Sequence, residues 1–235
     1  MKRFFITFLL ASFTMLFVNA QSKHTVYVWV DGEKTTIENV DSLTFIEEVA
    51  PQYVDLGLSV KWATCNLGAA TPEEIGNYYA WGETTPKDTY FKNNYKYHDG
   101  TEYTKYTEDD GLLELEAMDD AATANLGEDW RMPTYDEIEE LQNNCTWTWT
   151  EKDGCGGFTV TSTINGNSIF MPGAGDFYED EVYRKGDAAE YWTNESPVKK
   201  TFSYYAVVFR KGGMKIGDTE RFTDLTIRPV YVGAE

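Results

Sequence analysis

Between Thr25 and Val30 the chain is β-branched and aromatic at every position, which predicts a strand. Asp31-Gly32 follows as a two-residue hairpin signal, and further strands are expected around 34–37 and 43–46. Three strands this short bury little alone, so the piece is expected to dock on a larger one past a joint at Val49-Ala50-Pro51. The larger piece opens with two short strands between Tyr53 and Ala63, broken at Gly57. Asn77 to Trp81 is an aromatic strand candidate. From about Lys87 to Asp110, Tyr, Lys, Asn and Asp mix without period, which predicts a long surface loop. Leu112 to Met118 fits a strand or a helix.

Two helices carry clearer signals. Asp119 to Leu126 has acids at its start and Gly127 as its stop. A second begins at Thr134, where Thr-x-x-Glu with Glu137 forms a capping box behind Pro133. Ile138 and Leu141 share one face of it, with Glu139 and Glu140 outward. From Trp147 onward strands and turns dominate. A strand at 158–164, a type I′ turn at Asn165-Gly166 and a return at 168–171 form a hairpin. Pro172-Gly173-Ala174-Gly175 breaks the pattern and opens an acidic loop that runs to Lys185. Strands at 203–209 and 214–216 meet at Gly212-Gly213. The last, 225–232, contains Pro229, so it is an edge strand or holds its proline at a non-bonding position.

The first residues change the boundaries. Lys2 and Arg3, the apolar run Phe4 to Val18, and Val18-Asn19-Ala20 match an export leader cut after Ala20. The run is too short to span a bilayer, and no second one follows. Gln21 stands where a lipoprotein needs Cys. The expected plan is a leader at 1–20, a small β unit and joint at 21–50, and a main domain at 51–235. Periplasm, cell surface or medium is then the expected location. Removing Lys2 and Arg3 takes the formal net charge from −19 to −21. Such a surface repels phosphate backbones, which argues against nucleic acid as a partner. Three cysteines, Cys65, Cys145 and Cys155, cannot all pair within one chain. With no CxxC pattern and only His24 and His98, a structural zinc site is not expected.

Seven strings occur in an order that resembles one family. They are Asp55-Leu56-Gly57-Leu58, Val60-Lys61-Trp62-Ala63-Thr64-Cys65-Asn66, Trp81-Gly82-Glu83, Asp119-Asp120-Ala121-Ala122, Trp130-Arg131-Met132-Pro133-Thr134, Asn144-Cys145-Thr146-Trp147 and Ile227-Arg228-Pro229-Val230. Together they resemble the Fibrobacter succinogenes major paralogous domain, over essentially all of Tyr53 to Val232. That family is similar to the C-type-lectin-like fold, and distantly to formylglycine-generating enzymes. The resemblance implies an α+β domain: two short helices flanking a twisted, mostly antiparallel sheet, with its first and last strands paired. It implies burial of Trp62, Trp81 and Trp130, and a pairing of Arg131 with a helix carboxylate. It also implies a Cys65–Cys145 disulfide, although Cys155 leaves a Cys145–Cys155 bridge open.

The family carries no general function, so function rests on the residues. Formylglycine chemistry needs paired reactive cysteines near the C-terminus, and Cys155 alone does not supply them. A glycosidase needs two carboxylates roughly 5–10 Å apart beside a sugar cleft, and 39 acids make such pairs uninformative. A binding or adhesion-type module that recognises a glycan or a surface protein fits better. Aromatics make up 15% of the chain, and Tyr178, Tyr183 and Trp192 cluster near the acidic C-terminal loop with Asp176 and Asn194. Those five are the candidate ligand residues. No cofactor is expected. The Glu179-Asp180-Glu181 run offers oxygen ligands to calcium, but a solvated turn explains it as well. The alternatives are a structural subunit of a surface assembly, and a carbohydrate-active enzyme using paired carboxylates.

Overall fold

The computed structural model describes residues 24–30, 33–40, 52–178, 181–186, 188–195, 203–210 and 213–233. The leader, Asp31-Gly32, the strand expected at 43–46 and the joint at 49–51 lie outside the described residues. The chain divides into two compact units, Met1–Ala50 and Pro51–Glu235. In the first, β1 (His24–Val30) and β2 (Glu33–Val40) form an antiparallel hairpin with Val30 opposite Glu33.

The second unit is mixed α+β and mostly strand. In chain order it holds β3 (Tyr53–Val54), β4 (Lys61–Ala63), β5 (Tyr79–Ala80), α1 (Ala121–Leu126), β6 (Trp130–Arg131) and α2 (Tyr135–Asn144). Then come β7 (Cys145–Lys152), β8 (Cys155–Ser162), β9 (Ser168–Pro172), β10 (Asp176–Tyr178), β11 (Glu181–Tyr183) and β12 (Ala188–Trp192). Last are β13 (Ser203–Arg210), β14 (Gly213–Glu220), β15 (Asp224–Leu225) and β16 (Val230–Tyr231). Four sheets result, ordered β3-β4-β16-β6, β11-β10-β15-β5, β12-β13-β14 and β7-β8-β9. All their strand pairs are antiparallel. The expected terminal strand is two strands, β15 and β16, and β16 is central between β4 and β6. Pro229 sits just ahead of that ladder, where its carbonyl accepts from Ala63 N–H at 3.0 Å and no donor is needed.

Local chemistry explains the helices. Thr134 Oγ1 accepts from Glu137 N–H at 3.2 Å while Glu137 reaches back to Thr134 N–H at 2.8 Å. The same Glu137 carboxylate takes Arg131 at 2.8 Å, so one side chain caps α2 and ties β6 to it. At α1 the acids precede the helix. Asp120 is the cap and accepts from Ala122 and Thr123, and Gly127 closes the helix at φ 96°.

Turn chemistry departs from expectation at one hairpin and was overlooked at another. The β8–β9 connection is five residues long, 163–167, with Ser162 Oγ accepting from Ile164 and Asn165 N–H. Asn165 does not take the positive φ that a type I′ turn demands. That geometry lies at Asp153-Gly154, with φ 48° and 76°, between Lys152 and its partner Cys155.

Two apolar clusters fill the domain, one on each side of β12. One packs Leu56, Trp62, Ile138, Leu141, Val160, Ile169 and Val230 under α2 and the regular strands. The other packs Trp81, Tyr90, Tyr95, Tyr97, Tyr106 and Met132 around the irregular segment 87–118. Adjacent residues of β12 serve both: Tyr191 enters the first cluster and Trp192 the second. The segment expected as a surface loop is mostly exposed, but the buried side chains Tyr90, Tyr95, Tyr97, Tyr106 and Leu115 anchor it to the core. Its backbone has few ladder bonds, so side chains fasten it instead. Tyr95 donates to Trp81 O (2.7 Å), Tyr90 donates to Tyr78 O (2.5 Å), and buried Arg221 donates to Lys105 O (2.7 Å) and Tyr106 O (3.2 Å). Leu112–Met118 is neither strand nor helix apart from a bridge at Glu114.

Candidate functional site

The five sequence candidates separate into two groups. Asp176, Tyr178 and Tyr183 come together on the β10–β11 hairpin, with Asp176 opposite Tyr183. Asp176 is half-buried and pairs with Arg184 at 2.8 Å, and Arg184 also reaches Glu190 at 3.0 Å. Trp192 and Asn194 do not join this group as ligand residues. Trp192 is 0% exposed and its Nε1 donates to Tyr79 O at 2.6 Å. Asn194 is buried too, with its N–H on Pro133 O. The physical reason is that every side chain of β12 is buried, so no ring face is left for a ligand. Of the acidic run, Glu179 and Asp180 lie outside the described residues. Among the described residues no group of three or more His, Cys, Asp or Glu is arranged to hold a metal ion.

All three cysteines are free thiols, so the expected Cys65–Cys145 bridge is not formed. Cys145 sits where α2 passes into β7, buried in the α2 cluster, and burial with nearby Glu140 pushes its thiol up to about 11. Cys65 follows β4 in the chain, with its Sγ 3.6 Å from Thr64 Oγ1. Burial raises the Cys155 thiol as well. A nucleophilic cysteine needs the opposite shift.

Two acids stand out electrostatically. Asp119 is buried, which alone would raise its pKa, but Lys105, Lys96, Tyr97 and Tyr106 hold it well below the usual range. Lys96 and Lys105 approach it at 2.7 and 2.6 Å. Asp224 is the reverse case: burial, with Asp176 nearby, pushes it up to about 8. Neither feature stood out in the sequence. The only signal for Asp224 is a lone acid among the apolar and threonine residues of 222–227.

An open cleft lies elsewhere among the described residues, at the edge of the sheet that joins the chain ends. It encloses about 380 Å³ and is lined by Asp55, Leu58, Val60, Lys61, Tyr231 and Val232, among others. Strand alternation places its groups. Trp62 pairs with Val54 and Val230 and enters the core, so Lys61, Tyr231 and Trp130 share the opposite face. There Tyr53 stacks on Tyr231 with centroids 4.5 Å apart, and Trp130 meets Tyr231 edge-on at 5.2 Å. Lys61 Nζ lies 4.9 Å from the Tyr53 ring centre. The rim is fixed by its own bonds. Gly57, at φ 72°, donates to Asp55 Oδ1 at 2.6 Å, and Ser59 N–H and Oγ both donate to Glu140 of α2. A side chain at Gly233 would meet Tyr231 Oη at 2.5 Å and displace that ring. Tyr53, 43% exposed, presents aromatic surface at this end of the domain. What the arrangement offers is a ring surface flanked by one acid and one amine.

Comparison with known protein families, with characterised proteins and with solved structures finds no match.

Proposed function

We propose that the chain is an exported, non-catalytic recognition module of C-type-lectin-like type, related to the Fibrobacter succinogenes major paralogous domain. Its ligand surface in this reading is the cleft beside Tyr231, and its ligand a saccharide. The observation that carries the reading is the preformed cleft of about 380 Å³ lined by the Tyr231 ring together with Asp55 and Lys61, with Tyr53 stacked on that ring. Sugar sites combine just these parts: a flat apolar face for the ring and a few polar groups that orient hydroxyls. The pairing of β16 with β4 supports the fold assignment, because it joins the two ends of the domain. An acid–base enzyme finds less support: Asp224, the carboxyl shifted furthest toward a proton-donor pKa, is sealed from solvent and is not among the residues lining the cleft.

A glycan array probed with wild-type protein, Lys61→Ala and Tyr53→Ala tests this. Binding to defined glycans that falls at least about tenfold in both variants, with unchanged melting temperature, supports the reading. Undiminished binding in both places the ligand on another surface. An empty array with co-purifying envelope proteins turns the assignment to a structural subunit. Turnover of a bound glycan turns it to a carbohydrate-active enzyme.

A further inference from the structure

Asp224 has no role in the cleft and is the most anomalous group in the domain. It lies on β15, paired with Phe177 of β10 on one side and with Ala80 of β5 on the other. Its side chain is 0% exposed, and neither carboxylate oxygen has a hydrogen-bond partner among the described residues. An ionised carboxylate so placed has lost its water, and its own backbone N–H and Lys87 offset only part of that loss, so it takes up a proton.

The neighbouring charges reinforce this. Asp176 on β10 repels a second negative charge, and Glu190 on β12 is buried as well. Arg184 is shared between those two carboxylates. Tyr78, just ahead of β5, donates its hydroxyl to Ala174 O at 2.6 Å, and Tyr90 donates to Tyr78 O. Lys87 acts on Asp224 with the opposite sign, but its Nζ is held by Glu83 at 2.7 Å.

We propose that Asp224 is a protonated latch: uncharged, it lets β15 hold the β10–β11 hairpin, and loss of its proton loosens that hairpin from the domain. The hairpin meets β15 through the single pair Phe177–Asp224, so the charge would appear at one of its attachments, the others being Arg184 on Glu190 and the Gly175–Ala189 bridge to β12. Burial pushes the carboxyl up to about 8. In the unfolded chain an aspartate titrates near 4. The latch is therefore at full strength below about pH 4, weakens as pH rises, and is spent above about pH 8. The segment released carries Asp176, Tyr178 and Tyr183, so alkalinity would change the presentation of an acidic, tyrosine-bearing hairpin.

The test uses the full chain. The carboxyl carbon-13 resonance of Asp224, followed by NMR, is expected to titrate between about pH 7 and 9, and a midpoint below 5 overturns the proposal. In parallel, amide exchange at β10 and β11, corrected for intrinsic rate, is compared at pH 6 and 9 in wild type and Asp224→Asn. Wild type is expected to lose about tenfold or more in protection at pH 9, and the amide variant to hold steady. Equal loss in both would overturn the latch. If the variant does not fold, the resonance midpoint still decides.

Discussion

The two sides of β12 solve the same packing problem differently. Below α2, the core is built by regular elements whose backbones satisfy one another, so its side chains are free to be aliphatic: Leu56, Ile138, Leu141, Val160, Ile169, Val230. Around 87–118 there is little ladder to rely on, and the side chains do that work as well as filling space. Tyr90, Tyr95 and Tyr106 bury their rings while their hydroxyls bond Tyr78 O, Trp81 O and Asp119. Lysines lie across the ring faces, Lys96 over Tyr97 at 4.8 Å and Lys105 over Tyr106 at 4.8 Å. A surface segment without secondary structure is pinned to the core when its buried side chains are each both apolar body and hydrogen-bonding tip. Part of the aromatic excess is thereby used inside the domain.

Leu141→Ala should have the largest effect, about 3 kcal/mol, because a fully buried leucine in a regular core leaves a cavity that helices and strands do not close. Urea unfolding followed at both clusters should show one coincident transition. Two transitions would mean that β12 separates the cores instead of coupling them.

Asp119→Asn comes next, at about 2 kcal/mol, since it strips a buried carboxylate from two partly exposed lysines and two tyrosine hydroxyls. Because the folded domain holds this acid below its ordinary value, its contribution is present above about pH 4 and is lost as pH falls below that. Acid melts should be steeper in wild type than in the variant.

Thr134→Ala should cost about 1 kcal/mol by removing half of the capping box at α2. Tyr95→Phe is expected to cost about 1 kcal/mol or less, and to raise proteolysis within 87–110 without changing α2. A Tyr95→Phe domain as stable and as resistant as wild type would show that the hydroxyls are not what fastens the segment.

What could be read in the sequence was what is local. The Thr134–Glu137 box, the Ile138/Leu141 face and the Arg131–Glu137 pairing depend on spacings of three to six residues, and all are present. The burial of Trp62, Trp81 and Trp130 followed from the resemblance and is present too. The anchoring of 87–118 to the core was not legible, because it is set by partners far along the chain, such as Arg221 on Lys105 O. Trp192 misled for a related reason: a strand covered on both faces carries no alternation to betray it. The cleft was missed because its halves, Asp55–Lys61 and Tyr231–Gly233, lie at opposite ends of the domain and meet only through β4 and β16.

That residues 87–118 are anchored to the core through their buried tyrosines is tested most directly by residue-resolved hydrogen exchange on the full chain. The amides of Lys96, His98 and Thr104, which bond Glu83 Oε1, Tyr95 O and Tyr97 O, should exchange as slowly as those of β8 in the β7-β8-β9 sheet. Exchange at the rate of an exposed loop, with β8 still protected, would contradict it.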